Sequence, residues 1–312
     1  MKHFSKYILI LTLTAISCKS VDNGNDLKLW YKSPAQKWVE ALPVGNGRLG
    51  AMVFGNPEQE RLQLNEETVW AGGPNNNPNP DALAALPEVR KLIFEQKYRE
   101  AQDMATEKIM AKTNHGMSYQ PVGDLNLAFA GHEKAENYYR ELNLASAVAT
   151  TRYTVDGVEY VREVFSSFTD QVIVMRISAS KKGKLNFTAN FTSPQKITVE
   201  ANDNSLIMKG VSGNQENLEG KVKFTALAKI VPEKGAITSK GNEIGVSDAD
   251  AVTIYISIAT NFENYKSLNG NPDQKAQSSL QTAVQKDYKT LKTNHTAFYK
   301  QYFDRVTLDL GT

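Results

Sequence analysis

Cysteine occurs once in the 312 residues, at Cys18, so no disulfide can form within the chain. Histidine occurs four times, at positions 3, 115, 132 and 295, and no two stand at helical ligand spacing. A metal site built from histidine and cysteine is therefore not expected. Neither sign of charge predominates: 36 Lys and Arg against 34 Asp and Glu leave a formal net charge of +2. That balance gives no electrostatic reason to invoke nucleic acid or an anionic membrane surface. After the first twenty residues no apolar run is long enough to span a membrane. A G-x-S-x-G nucleophile turn and a phosphate-cradling Gly-Lys-Ser/Thr loop are also missing. What remains is a globular composition, 41% hydrophobic and 22% charged, long enough for one large β domain or two ordinary ones.

The first eighteen residues differ from the rest. Lys2 and Lys6 precede a short apolar stretch from Tyr7 to Ile16, closed by Ala15-Ile16-Ser17-Cys18. This is the layout of a secretory signal, too short for a stable membrane anchor. Cys18 stands where a bacterial lipoprotein carries its acylated cysteine, although Ala15 occupies the position where leucine is usual. The alternative is an ordinary cleaved signal in which Cys18 is incidental. The organisation expected is a signal over 1–18, a polar tether over 19–26, a β domain over 27–262 and a helical linker over 263–312. The mature protein is expected to be exported, as a periplasmic, outer-membrane or cell-surface lipoprotein of a bacterium that meets the membrane only through its lipid.

From Leu27 to about Phe262 short apolar-alternating runs are separated by turn residues. Leu62 to Asn65, Leu125 to Phe129, Val172 to Ile177, Leu185 to Phe191, Leu206 to Lys209, Val222 to Ile230 and Val252 to Ala259 are such runs. Thr150 to Val155 and Val158 to Val164 flank Asp156-Gly157, a strong short-range hairpin signal. The series predicts a mainly β fold, a large antiparallel sandwich. Two stretches change period. Between Asp81 and Lys112 the spacing predicts a helical insertion, with Pro87 at its first helical position. From Lys275 to Asp304 the stripe Leu280, Val284, Tyr288, Leu291, His295, Phe298 and Tyr302 predicts a C-terminal linker helix. Ser267 to Pro272 reads as the turn before it.

Gly45-Asn46-Gly47-Arg48-Leu49-Gly50 matches the dinucleotide pattern G-x-G-x-x-G. That reading needs a helix after the glycines, whereas Ala51 to Pro57 reads as strand and turn. Asn46-Gly47 is better a hairpin turn. No cofactor is expected. His295 lies on the apolar stripe and reads as a packing residue. Carboxylates are the remaining chemical candidates. Asn65-Glu66-Glu67-Thr68-Val69-Trp70-Ala71-Gly72-Gly73 carries groups that grip hydroxyls and an indole that can stack on a sugar ring. Tyr119-Gln120-Pro121-Val122-Gly123-Asp124 has the same character. The substrate-side candidates are Asn65, Glu66, Trp70, Tyr119 and Gln120. The competing reading has Glu66 and Asp124 pairing with arginines or capping turns, and Trp70 filling core.

These segments also carry a resemblance. Leu42-Pro-Val-Gly-Asn-Gly-Arg-Leu-Gly-Ala-Met-Val-Phe-Gly55, Leu62-Gln-Leu-Asn-Glu-Glu-Thr-Val-Trp70-Ala-Gly-Gly73, Tyr119-Gln-Pro-Val-Gly-Asp124, Tyr138-Tyr-Arg-Glu-Leu-Asn-Leu144, Val161-Arg-Glu-Val-Phe-Ser166 and Phe303-Asp-Arg-Val-Thr-Leu-Asp-Leu-Gly311 follow in order. The first five resemble the N-terminal domain of glycoside hydrolase family 95, and the last resembles the junction that leads into that family's catalytic barrel. The resemblance implies a β-supersandwich, a helical linker and, in complete members, an (α/α)₆ barrel. It further implies inverting release of L-fucose, or in some members L-galactose, from oligosaccharides. The family places its catalytic carboxylates in the barrel, before which this sequence stops, so no catalytic residue is expected here. The expected partner is a fucosylated oligosaccharide met by the complete enzyme. The alternative is a free-standing surface lipoprotein whose sandwich binds glycan or a protein partner.

Overall fold

The computed structural model describes residues 27–111 and 116–308. The signal, the tether and Cys18 lie outside the described residues, as do His3 and His115. The chain begins with β1 (Lys28–Tyr31), β2 (Leu42–Gly45), β3 (Leu49–Val53) and β4 (Gln59–Glu66). Two helices interrupt, α1 (Ala82–Phe94) and α2 (Tyr98–Lys108). Then come β5 (Gly123–Ala128), β6 (Glu136–Asn143), β7 (Val148–Val155), β8 (Val158–Ser167), β9 (Val172–Ala179) and β10 (Leu185–Thr192). β11 (Lys196–Asn202), β12 (Ser205–Val211), β13 (Lys223–Glu233), β14 (Ala236–Lys240), β15 (Glu243–Ala249) and β16 (Ala251–Thr260) complete the strands. α3 (Pro272–Ala283) and α4 (Tyr288–Phe303) follow.

All strand pairs are antiparallel. One sheet orders nine strands β1-β6-β7-β8-β9-β16-β13-β12-β11, and the other orders seven, β14-β15-β10-β5-β4-β3-β2. Alternation decides which side chains meet between them. Along β4, Glu60, Leu62, Leu64 and Glu66 point inward while Arg61, Gln63 and Asn65 alternate outward. β16 is buried at every position because both its faces are covered. Val252, Ile254, Ile256 and Ile258 enter the core between the sheets, whereas Tyr255 and Ala259 pack under α3 and α4 with Leu280 and Leu291. Asp156 (φ 49°) and Gly157 (φ 69°) both take left-handed conformations and join β7 to β8 as the Asp-Gly pair requires.

The helical regions differ from expectation in two ways. Pro87 lies inside α1 rather than at its start. The bond it cannot donate would go to the Leu83 carbonyl in an exposed first turn, where water substitutes. α1 then stops in a Schellman cap, with Lys97 donating to the Leu92 carbonyl and Gln96 to that of Ile93. Gln96 holds the left-handed position (φ 62°) that usually signals itself as glycine. The single C-terminal helix is likewise two. Asp287 caps α4 by accepting from the Thr290 amide at 2.7 Å. The stripe hid this break because Leu280, Val284, Tyr288 and Leu291 keep helical spacing across it.

Between the sheets sits a buried polar group with no counterpart in the pattern of apolar runs. Arg162 meets Glu60 at 3.0 Å with both side chains essentially inaccessible. The guanidinium also donates to the carbonyls of Asn56 and Pro57 and to the Tyr153 hydroxyl. His132 Nδ1 lies 3.0 Å from that hydroxyl. Burial first, and the Arg162 charge second, hold the His132 imidazole down to about pKa 4 from an ordinary 6.5. Between these values the unfolded chain binds a proton that the folded chain refuses. Stability therefore falls as pH drops from 6.5 toward 4, by at most about 1.4 kcal/mol per pH unit, and this contribution is level above 6.5. Burial lowers His295 in the same sense, so the comparison is with a variant. His132→Gln is expected to lose less stability between pH 7 and pH 5 than the parent in urea titrations; equal losses would remove His132 from the account.

Candidate functional site

β4 ends at Glu66, and the next residues turn away from the sheet to form one wall of a cleft of about 530 Å³. Glu66 itself points inward and is only 3% exposed. One of its oxygens accepts from the Thr68 amide and hydroxyl at 2.8 and 2.6 Å, and Arg48 meets the other at 3.4 Å. Arg48 arrives from the loop joining β2 and β3, and also donates to the carbonyl of Ile258 and to Gln171. Glu66 thus pairs with arginine and holds its turn. The loop carrying Arg48 is a hairpin: Asn46 donates to the Leu49 carbonyl and no helix follows, so the G-x-G-x-x-G match builds no nucleotide site.

Trp70 is not core; its side chain is 45% exposed. It is nonetheless fixed. Its indole N–H donates to the Glu67 carbonyl at 2.9 Å. Its backbone pairs with Tyr119, whose ring meets it edge-on with centroids 5.5 Å apart. The Tyr119 hydroxyl donates to the Glu66 carbonyl at 3.2 Å, and burial, ahead of Glu66 and Glu67, raises its pKa. Gln120 braces the neighbouring loop, its side-chain carbonyl accepting from the Gly213 amide at 2.8 Å. Gly72 (φ 67°) takes a left-handed turn, and an added Cβ would lie 3.1 Å from the Met117 sulfur.

The five sequence candidates therefore divide. Trp70 lines the cleft with Tyr119 against it, Glu66 and Gln120 hold the walls from behind, and Asn65 alternates to the outer face of the seven-stranded sheet. Phe262 and Tyr265, which sequence reasoning did not single out, line the same cleft. Phe262 closes the stretch assigned to the β domain and Tyr265 lies in the stretch assigned to the linker, so no local signal set the pair apart. Glu67 was also passed over, although alternation along β4 places it outward if Glu66 is inward. It is the single carboxylate among the residues lining the cleft. Asp124, raised by burial and opposed by Arg61 at 3.9 Å, is bonded into β5 away from the cleft. Among the described residues no group of three His, Cys, Asp or Glu is placed to hold a metal ion.

A second cavity of about 370 Å³ opens between the β2–β3 loop and α4, lined by Phe168, Phe298 and Tyr302. Phe168 stacks on Phe298 at 4.3 Å. The apolar stripe of the C-terminal helices thus divides: Leu280 and Leu291 are buried on the nine-stranded sheet, while Tyr302 is 57% exposed.

The chain is 32% identical to the protein named alpha-L-fucosidase 2 of Arabidopsis thaliana, covering 99% of this chain and 42% of that one. It is 27% identical to the probable alpha-fucosidase A of Aspergillus niger, covering 90% and 38%. The chain thus spans about two-fifths of the length of these curated relatives. A solved structure assigned as a kojibiose phosphorylase from human microbiome matches 89% of this chain and 38% of its own at a TM-score of 0.53. At 10% identity that likeness concerns the fold alone. Residues 29–265 match the family described as glycosyl hydrolase family 65, N-terminal domain. On that match, over a two-sheet sandwich, the chain belongs to the family of glycosyl hydrolase family 65 N-terminal domains.

Proposed function

We propose that the chain is the non-catalytic N-terminal β domain of an exported, inverting glycoside hydrolase of family 95, acting on α-L-fucosides. The observation that carries this reading is the 32% identity across 99% of the chain with a protein named as an α-L-fucosidase. The cleft agrees with a supporting role. Inverting hydrolysis needs two carboxyls about 6.5–9.5 Å apart, one as acid and one as base toward water. Among the residues lining the cleft only Glu67 has a carboxylate, and neighbouring Glu66 is held by Arg48 and Thr68. The hydrolytic pair belongs, in this reading, to the part of such enzymes beyond the stretch matched here. The exposed Tyr302 and Phe168 are then surfaces against which that part packs. The family 95 assignment within this proposal rests on the ordered motif set from Leu42 to Gly311.

The test is to express this chain joined to the coding sequence that follows Thr312. Release of fucose first as the β anomer from an α-fucoside, seen by NMR, supports the reading. Continuation into unrelated sequence, with no hydrolysis, would favour a free-standing module.

Attachment through Cys18 is part of the same proposal, because a short apolar run ends on the chain's single cysteine. Several acyl chains give stable anchoring where one gives only marginal binding. Palmitate labelling in the bacterial host is expected to vanish in Cys18→Ala, and unchanged labelling would contradict the anchor.

A further inference from the structure

Trp70 combines exposure with restraint. Exposing 45% of an indole leaves apolar surface in water that burial would have stabilised, at roughly 25 cal/mol per Å². Yet the ring is held in one place by the bond to the Glu67 carbonyl and by the edge of Tyr119. Its only polar hydrogen is committed inside the protein, so a ligand meets the ring and not the N–H. A restrained ring has little freedom left to lose when a ligand binds. Two further aromatic residues, Phe262 and Tyr265, line the cleft. Tyr265, 76% exposed, stands on a turn closed by reciprocal bonds between Asn264 and Ser267 at 3.0 and 3.3 Å. The cleft's volume, about 530 Å³, lies within the range of small-molecule sites. Its lining residues include no Lys, Arg or His and one carboxylate, Glu67. No cation lines the cleft to neutralise a phosphate, sulfate or uronate, although the Lys266 ammonium lies 5.1 Å from the Tyr265 ring centroid, so the lining itself suits a neutral ligand.

We infer that this cleft is itself a glycan-holding site. In it a neutral deoxyhexose-bearing oligosaccharide lays the C–H face of a pyranose ring on Trp70 and sets a hydroxyl on the Glu67 carboxylate. The choice of a deoxyhexose rests on the fucosidase reading above. It suits a cleft whose other walls, Met117, Val222 and Leu268, give a methyl group apolar surroundings and offer few partners to extra hydroxyls. The site holds sugar and performs no chemistry. It would keep a branched glycan on the enzyme while a terminal residue is cut elsewhere.

The test is a titration of the purified chain with methyl α-L-fucoside and with a fucosyl-lactose trisaccharide, followed by tryptophan fluorescence and ligand-observed NMR. Saturable binding in the millimolar range is expected, tighter for the trisaccharide. Trp70→Ala is expected to weaken it at least about tenfold, which corresponds to about 1.4 kcal/mol. Tyr265→Ala changes an exposed side chain that the fold does not need, and is expected to weaken binding about threefold. Trp38→Ala, also exposed but outside the cleft, leaves binding unchanged. No saturable binding by the parent chain, or parental affinity in both Trp70→Ala and Tyr265→Ala, overturns the inference. If binding is absent while the joined enzyme hydrolyses fucosides, the inference falls and the functional reading stands. If the chain binds and the joined enzyme leaves fucosides intact, the reverse holds.

Discussion

Replacing Glu60 with alanine is expected to cost about 3–5 kcal/mol of folding stability, because it strands the Arg162 guanidinium between two sheets. Arg162 is 1% exposed and Glu60 equally hidden, so water cannot replace the lost partner. The carboxylate does more than balance charge: it also accepts from the Gly55 amide at 2.7 Å and the Arg61 amide at 3.1 Å, holding the entry to β4. The arginine keeps its bonds to Asn56, Pro57 and Tyr153, and its faces against Phe129 and Tyr153, but its charge is left uncompensated. A domain of this kind holds about 5–15 kcal/mol in total, so the loss is a large share of it. Urea unfolding followed by circular dichroism measures the change. The pair Glu60→Leu with Arg162→Leu should lose less than the sum of its two single changes, since neither charge is then stranded. A Glu60→Ala midpoint within experimental error of the parent would mean that the pair does not hold the sheets.

The second large effect is expected at Leu291. It is fully buried in the cluster that docks α3 and α4 on the outer face of the nine-stranded sheet, with Phe165, Val174 and Leu280. Leu291→Ala is expected to cost about 2–5 kcal/mol through lost burial and the cavity left behind. The polar contacts beside it should keep α4 from detaching. Tyr288 and Lys292 both donate to Glu163, at 2.7 and 2.5 Å. Burial alone would raise the Glu163 pKa, but these bonds outweigh it and hold the carboxylate below its usual range. Lys286 pairs with buried Asp170 just before α4. The variant should therefore unfold at lower urea in one cooperative transition. An early separate loss of helix signal, with the sheets intact, would show that α4 is an independent unit.

These two sites also mark what could and could not be read from residues. β16 was legible because Val252 to Ala259 is apolar at every position but Thr253 and Ser257, and Asp156-Gly157 because its turn chemistry is local. Strands at sheet edges were harder. β11, Lys196–Asn202, alternates Ile197, Val199 and Ala201 with polar residues but never buries one fully, and β14 is mostly exposed. The helix break at Asp287 was masked by apolar spacing that runs through it, and the cap at Gln96 by a residue that rarely marks one. Buried charge was invisible: Arg162 and Arg140 read as surface in a linear sequence, yet Arg140 lies under Tyr31 and donates to the Ser33 and Glu40 carbonyls. At the cleft, the segment Asn65 to Gly73 was legible as a place. Its division into an outward Asn65, an inward Glu66 and an exposed Trp70 needed the end of β4 to be located. The lining by Phe262 and Tyr265 depends on how the strands bring distant loops together, which no local signal records.

The most direct measurement is hydrolysis of an aryl α-L-fucoside by the purified chain alone, followed by release of the aryl group. No turnover above the uncatalysed background is expected at any pH between 4 and 8, because the cleft offers one carboxylate where inversion needs two. Turnover that disappears in Glu67→Gln would contradict it, and would place the chemistry in this domain.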